Sequence, residues 1–137
     1  MNIRLSSFKR DHGLKELLSP DTSEFWHTDD NLPHFVKLSF SKRTYIDHIQ
    51  LTLSYFKDDS YTPEKLDVFA GDTTDSMEKI FSLSLFEPEG AVLLMVKSSV
   101  FYIYVVIAAN HQEGRDSHIR HLKVIATNNE EVIPNLY

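Results

Sequence analysis

The sequence predicts an all-β domain, a sandwich or barrel, with one short helix near its N-terminus. Three observations carry this expectation. Apolar and polar residues alternate at period 2 through most of the chain, which sends successive side chains to opposite faces of a sheet. The alternating runs number about seven and are separated by turn-rich segments, the spacing of an all-β fold rather than an α/β one. Helical periodicity is confined to residues 13–18.

Taken in order, the first clear strand is 36–40, where Val36, Leu38 and Phe40 alternate with Lys37 and Ser39. The cleanest is 49–55, with Ile49, Leu51, Leu53 and Tyr55 on one face and Gln50, Thr52 and Ser54 on the other. Further strands are expected at 65–70, 80–85, 91–96, 100–109 and 119–125. The run 100–109 is apolar at every position or nearly so, and is expected to lie centrally with both faces covered. Turns fall at 57–63, 71–76, 87–90 and 110–118. No repeat, low-complexity tract or dividing linker interrupts the chain, so its 137 residues form one domain.

Composition excludes several functions. Fourteen basic against 20 acidic residues give a net charge of −6, which disfavours binding to a phosphate backbone and so to nucleic acid. Cysteine is absent, which removes disulfides, thiolate nucleophiles and Cys-ligated zinc. Residues 1–12 lack the apolar centre of a signal peptide. The longest apolar run is about half of a membrane-spanning helix. A soluble, intracellular protein with no membrane partner is expected.

Chemistry-bearing motifs are sparse. Of the seven histidines, only His118-x-x-His121 are close, and their odd spacing places them on opposite faces of a strand. No metal or other cofactor is expected. Asp116, Ser117 and His118 are adjacent but lack the spatial order of a triad, and no nucleophile elbow or phosphate loop occurs. Asp29–Asp30 and Asp58–Asp59 read as solvated turn residues and caps rather than a glycosidase pair. The chain is not expected to be an enzyme.

Local charge says more than total charge. Residues 101–129 carry Arg115, Arg120 and Lys123 against Glu113 and Asp116, with His111, His118 and His121 added, whereas 35–100 are net acidic. The loop 110–118 is dense in hydrogen-bonding side chains and follows the most apolar strand, as in sandwiches that present a recognition surface. The plain alternative is a connecting loop in which Asp116 caps a turn and Arg115 pairs with an acid. The loop 55–65 exposes Ser60, Tyr61 and Thr62 beside Pro63, which holds Thr62 extended and stiffens the segment.

These two loops, Asp59-Ser60-Tyr61-Thr62-Pro63-Glu64-Lys65 and Ala109-Asn110-His111-Gln112-Glu113-Gly114-Arg115-Asp116-Ser117-His118-Ile119-Arg120, resemble the signature loops of the DOC domain family. Glu24-Phe25-Trp26-His27-Thr28-Asp29, Leu32-Pro33-His34 and Phe86-Glu87-Pro88-Glu89-Gly90 fit the same pattern. The resemblance implies a galactose-binding-like jelly-roll β-sandwich over 13–129, between a lead of 1–12 and a tail of 130–137. It implies a non-catalytic subunit of a cullin–RING ubiquitin ligase, the anaphase-promoting complex, acting in mitotic exit in the nucleus and cytoplasm. The implied partners are scaffold and cullin subunits, a propeller-type coactivator and destruction-box substrates. The degron-binding residues carried over are Ser60, Tyr61, Thr62, Asn110, His111, Gln112, Gly114, Arg115, Asp116 and His118, with Arg115 and Asp116 also suited to bracing and Gly114 to a positive φ.

Two departures stand out. Glu113 replaces a common family Asn and adds a negative charge. The family tail ending in Ile-Arg, which docks into helical-repeat subunits, is replaced by Ile133-Pro134-Asn135-Leu136-Tyr137, so scaffold attachment is expected to rest on the folded domain. The rival reading on the same sandwich is a carbohydrate- or lipid-binding module, which predicts exposed aromatic loop tips. Here Tyr61 is the main aromatic candidate among amides, hydroxyls and charges.

Overall fold

The computed structural model describes residues 1–135; the end of the tail, Leu136 and Tyr137, lies outside them. The chain runs β1 (Asn2–Leu5), α1 (Leu14–Leu17), β2 (Trp26–His27), β3 (His34–Ser54), α2 (Tyr55–Asp58), β4 (Pro63–Gly71), β5 (Glu78–Ser84), β6 (Glu89–Asn110), β7 (His118–Ile119) and β8 (His121–Ile125). Short 3-10 turns follow at Asp59–Tyr61, His111–Glu113 and Thr127–Asn129.

Two expected pairs of strands are each one continuous strand. The runs 36–40 and 49–54 merge into β3, with Tyr55 opening α2 instead of ending the strand, and 91–96 and 100–109 merge into β6. β3 and β6 pair antiparallel along most of their length, with register shifts between Ser39 and Thr44 and between Ile46 and His48. A bulge adds an unpaired residue and bends the ribbon. One ribbon therefore serves both layers of the sandwich. Its first part extends into the order β1-β3-β6-β4-β5, and its second part pairs with β8 through His48–Thr52.

The core lies between these layers. Val36, Leu38, Ile103, Val105, Ile107, Leu66 and Val68 from one side meet Ile49, Leu51, Leu53, Leu94, Leu122 and Val124 from the other. Each such side chain stabilises the fold by about 1.5–3 kcal/mol on burial. The period-2 pattern thus predicted the inward face correctly in both layers.

The segment 100–109 is central, flanked by β3 and β4, but only one of its faces is buried. Tyr102, Tyr104 and Val106 face outward, half-buried. Tyr104 stacks on Phe35 with ring centroids 5.9 Å apart, and the Lys37 ammonium lies 5.5 Å from each tyrosine ring. Tyrosines shielded by a lysine stem can tolerate a half-open face, so an apolar run need not be covered twice.

The expected strand 119–125 breaks at Arg120, where the chain changes partner from β2 to β3. β2 and β7 make a separate two-stranded sheet, pairing Trp26 with Ile119 and His27 with His118. Trp26 is fully buried and its indole N–H donates to the Ser7 carbonyl at 2.8 Å. This small sheet closes the end of the sandwich from which the loops 55–63 and 110–118 emerge.

Candidate functional site

The two loops are locked to each other by backbone and buried side chains. His111 N–H donates to the Thr62 carbonyl at 2.9 Å, and its ring Nδ1 does the same at 2.9 Å. With Nδ1 carrying the proton, Nε2 accepts from the Glu87 N–H at 3.1 Å. One imidazole therefore joins three connections of the sandwich. Thr62 is extended, with φ −83° and ψ 125°, as the proline after it requires.

Asn110 organises its own loop from inside. Its amide nitrogen donates to the carbonyls of Gly114 and Asp116 at 3.0 and 3.1 Å, and its oxygen accepts from the Ser117 hydroxyl at 2.6 Å. Gln112 and Glu113 turn the chain in the left-handed region, at φ 54° and 57°. Gly114 does not, since its φ is −63°. The expected positive φ thus falls on its two neighbours. Glycine is required at 114 for space: a β-carbon there would overlap the Ser60 carbonyl oxygen of the opposite loop.

Asp116 ties the loop to the segment after β2. It accepts from the Thr28 hydroxyl at 2.8 Å and from the Asp30 N–H at 3.1 Å. Burial would raise its carboxyl, but these two hydrogen bonds outweigh burial and hold it below the usual carboxylate range. His34, fully buried beneath, donates from Nε2 to the Arg115 carbonyl at 2.6 Å. The Arg115 guanidinium, 58% exposed, reaches Asp116 only at 4.0 Å and points into solvent.

Below the rim lies an ionic network that the sequence reading missed. Asp58, read as a solvated turn residue, is 3% exposed. It accepts from Arg120 Nε and Nη2 at 3.0 and 2.6 Å and from His118 Nδ1 at 2.9 Å. Burial pushes its carboxyl up, yet the hydrogen bonds from His118 and Arg120 prevail and lower it. Arg120 also donates to the Thr22 carbonyl at 2.7 Å. Asp59 next door is exposed. Adjacent acids in sequence gave no sign of this difference, because it depends on an arginine 62 residues away.

His118 is the floor of an aromatic group. Tyr61 stacks on it at 4.3 Å with rings 8° from parallel, and Phe25 and His27 lie at 4.3 and 4.5 Å. His27 Nδ1 donates to the Thr28 carbonyl at 2.6 Å. Burial pushes the His27 imidazole below its ordinary value, so it stays neutral and offers Nε2 as an acceptor. His121 belongs elsewhere, donating to the Ser19 carbonyl at 2.8 Å. Among the described residues no three His, Asp or Glu side chains converge as metal ligands.

The residues carried over from the resemblance thus divide by access. Thr62, Asn110 and His111 are buried, and Asp116 and His118 are half-buried with their bonds directed inward. Tyr61, Gln112 and Arg115 are exposed, beside half-buried Ser60 and Gly114. Gln112 is steadied by a 2.8 Å hydrogen bond to the Tyr55 hydroxyl. The arrangement is a rigid polar rim around a stacked Tyr–His pair, capable of holding an extended peptide by amide, hydroxyl and guanidinium contacts. Phe25, Thr28, His34, Asp58 and Arg120 complete it. The segments quoted for the resemblance contain Phe25, Thr28, His34 and Arg120 but not Asp58.

Comparison with known proteins is consistent along most of the chain. The model of the family "Anaphase-promoting complex, subunit 10 (APC10)" matches residues 1–135. The chain belongs to the anaphase-promoting complex subunit 10 family. Family members from Homo sapiens and Schizosaccharomyces pombe are each 32% identical, over 126 and 133 residues, or 88% and 92% of this chain and 68% and 70% of theirs. The Drosophila melanogaster member is 32% identical over 128 residues, 89% of this chain and 66% of its own. The chain spans about two thirds of the length of these relatives. The resemblance read from the two loops is thereby borne out.

The galactose-binding-like fold expected of the subunit 10 family is also present. The family 32 CBM of C. perfringens NanJ, solved in complex with galactose, superposes with a TM-score of 0.73 at 14% identity, covering 90% of this chain and 91% of that one. The C-terminal domain of a Bacteroides fragilis chitobiase gives 0.69 at 23% identity, covering 96% of each. At these identities the likeness is one of fold.

Proposed function

We propose that this chain is a non-catalytic substrate co-receptor of the anaphase-promoting complex (cyclosome) ubiquitin ligase. It holds the destruction-box degron together with a propeller-type coactivator while seated on the scaffold and cullin subunits. Its effect is processive ubiquitination in mitotic exit, in the nucleus and cytoplasm. One observation supports the site above others: Tyr61, Gln112 and Arg115 are exposed on loops that buried Asn110 and His111 hold rigid.

The physical case rests on preorganisation. An extended peptide loses conformational freedom on binding, so a receptor that also had to order its loops would bind more weakly still. Here the loop order is provided by internal hydrogen bonds. The rim offers exposed amide, hydroxyl and guanidinium contacts, which suits a weak half-site. Sharing one peptide between two weak surfaces raises apparent affinity through effective concentration.

The test is a titration of the isotope-labelled chain with a destruction-box peptide, read by NMR. Shifts centred on Tyr61, Gln112 and Arg115 are expected. A saturating peptide that moves none of them overturns the reading, as does saturable binding to a glycan array or to liposomes at the same rim. In the assembled ligase, Gln112→Ala with Arg115→Ala is expected to shorten ubiquitin chains without loss of the subunit from the complex.

A further inference from the structure

Among the described residues the two most exposed large apolar side chains are Phe56 and Phe86, at 85% and 87% exposure. They stand on neighbouring connections, since Tyr55 N–H donates to the Pro88 carbonyl at 2.9 Å and the Phe56 N–H donates to the Glu89 carboxylate. Neither position is loose. Glu89 also accepts from the Ser54 hydroxyl at 3.1 Å, and Glu87, beside Phe86, is anchored on His111. Two exposed phenylalanines on backbone fixed by hydrogen bonds are the form of an interface anchor.

Charge narrows the occupant. Glu87 follows Phe86 in sequence and the Glu89 carboxylate sits on the Phe56 N–H, while Asp59, Glu64 and Glu113 are also exposed, against Lys57 and Lys65. Glu64 is fixed close by through its carbonyl, which accepts from Leu85 N–H at 2.7 Å, and Glu113 follows Gln112 on Tyr55. A second copy of this chain would bring the same acids face to face, which opposes self-association. We infer that Phe56 and Phe86 form a docking ridge for another subunit of the assembly, one presenting apolar sockets rimmed by Lys or Arg. This rests on the reading of the chain as a ligase subunit and names the surface through which it is seated. The ridge adjoins the degron rim through the Gln112–Tyr55 and His111–Glu87 contacts, yet uses different side chains.

The experiment immobilises the purified ligase assembled without this subunit and measures binding of the full chain. Phe56→Ala with Phe86→Ala is expected to weaken binding by about tenfold or more, as loss of two aromatic anchors does. Glu87→Lys is expected to weaken it and to reduce its salt dependence. Because these side chains are exposed, the variants are expected to melt with wild-type cooperativity. Binding of the double variant within twofold of wild type overturns the ridge while leaving the subunit reading intact. A wild-type chain that does not bind the ligase overturns both. Dimerisation of the chain alone that the double variant abolishes assigns the ridge to a second copy and overturns the heterologous partner.

Discussion

The carbonyl oxygen of Ser60 occupies the space that a β-carbon at residue 114 would need. Two loops are packed backbone against backbone at this point, between residues 54 positions apart in sequence, with Asn110 holding the Gly114 carbonyl from the other side. The oxygen is main chain and a β-carbon is placed rigidly by its own backbone, so neither can rotate away. Gly114→Ala is therefore expected to destabilise the domain by about 1–3 kcal/mol, the usual cost of overpacking. A thermal melt measures the loss, and substrate ubiquitination should fall with it because the rim is built on this contact.

Buried and exposed members of the same loop should separate cleanly. Asn110→Ala leaves the carbonyls of Gly114 and Asp116 and the Ser117 hydroxyl without their partner, a loss of about 1–3 kcal/mol. Gln112→Ala is expected to stay within about 0.5 kcal/mol of wild type, as surface changes do, while still weakening peptide binding. Denaturant titration paired with peptide titration distinguishes the two. Replacing Asn110, His111 and Gln112 together would therefore report loop collapse as well as lost contact.

Asp58 and Arg120 form a buried ion pair, and removing one partner strands the other. Asp58→Ala is expected to cost about 3–5 kcal/mol in a urea titration at neutral pH. The pH dependence follows from the lowered Asp58 carboxyl. Above the unfolded value of about 3.9 the folded state holds its full advantage, because both states are ionised and only the folded one is paired. As pH falls through the depressed folded value, that advantage disappears. Wild type should thus lose stability below about pH 4 more steeply than Asp58→Asn, which has no carboxyl to titrate there.

His27 titrates in the opposite sense to a paired histidine. Its imidazole is lowered by burial, with His118 and Lys9 adding to the effect, so the unfolded chain takes up its proton first. Stability from this group is present above the unfolded value of about 6.5 and falls as pH drops from there toward the lower folded value. Melting temperature measured between pH 7.5 and 5.5 should decline more in wild type than in His27→Gln. An equal decline in both would place the titrating group elsewhere.

The outcome of each sequence expectation has a physical cause. Alternation at 36–40 and 49–55 located the inward faces, since period 2 is a local property of extended chain. It did not show that the two runs are one strand, because a bulge between Ser39 and Thr44 costs only a pairing and leaves the pattern on either side unchanged. Val100 to Ala109 looked doubly buried, although Tyr102 and Tyr104 sit comfortably half-exposed. Gly114 suggested a left-handed turn, but the left-handed residues are Gln112 and Glu113.

By itself, the sequence determined the all-β class, the inward face of most strands, the absence of cysteine chemistry and, through two loops, the family. Those are properties of residue type and near-neighbour order. Tertiary structure alone decided which loop residues face solvent. Asn110 and Gln112 are both amides two positions apart, yet one is sealed against three backbone and side-chain partners and the other stands on the rim. It also decided that Asp58 is a buried anion while Asp59 is not, since only folding brings Arg120 and His118 to its carboxylate. Burial and pairing depend on residues distant in the chain, and alternation carries no record of them.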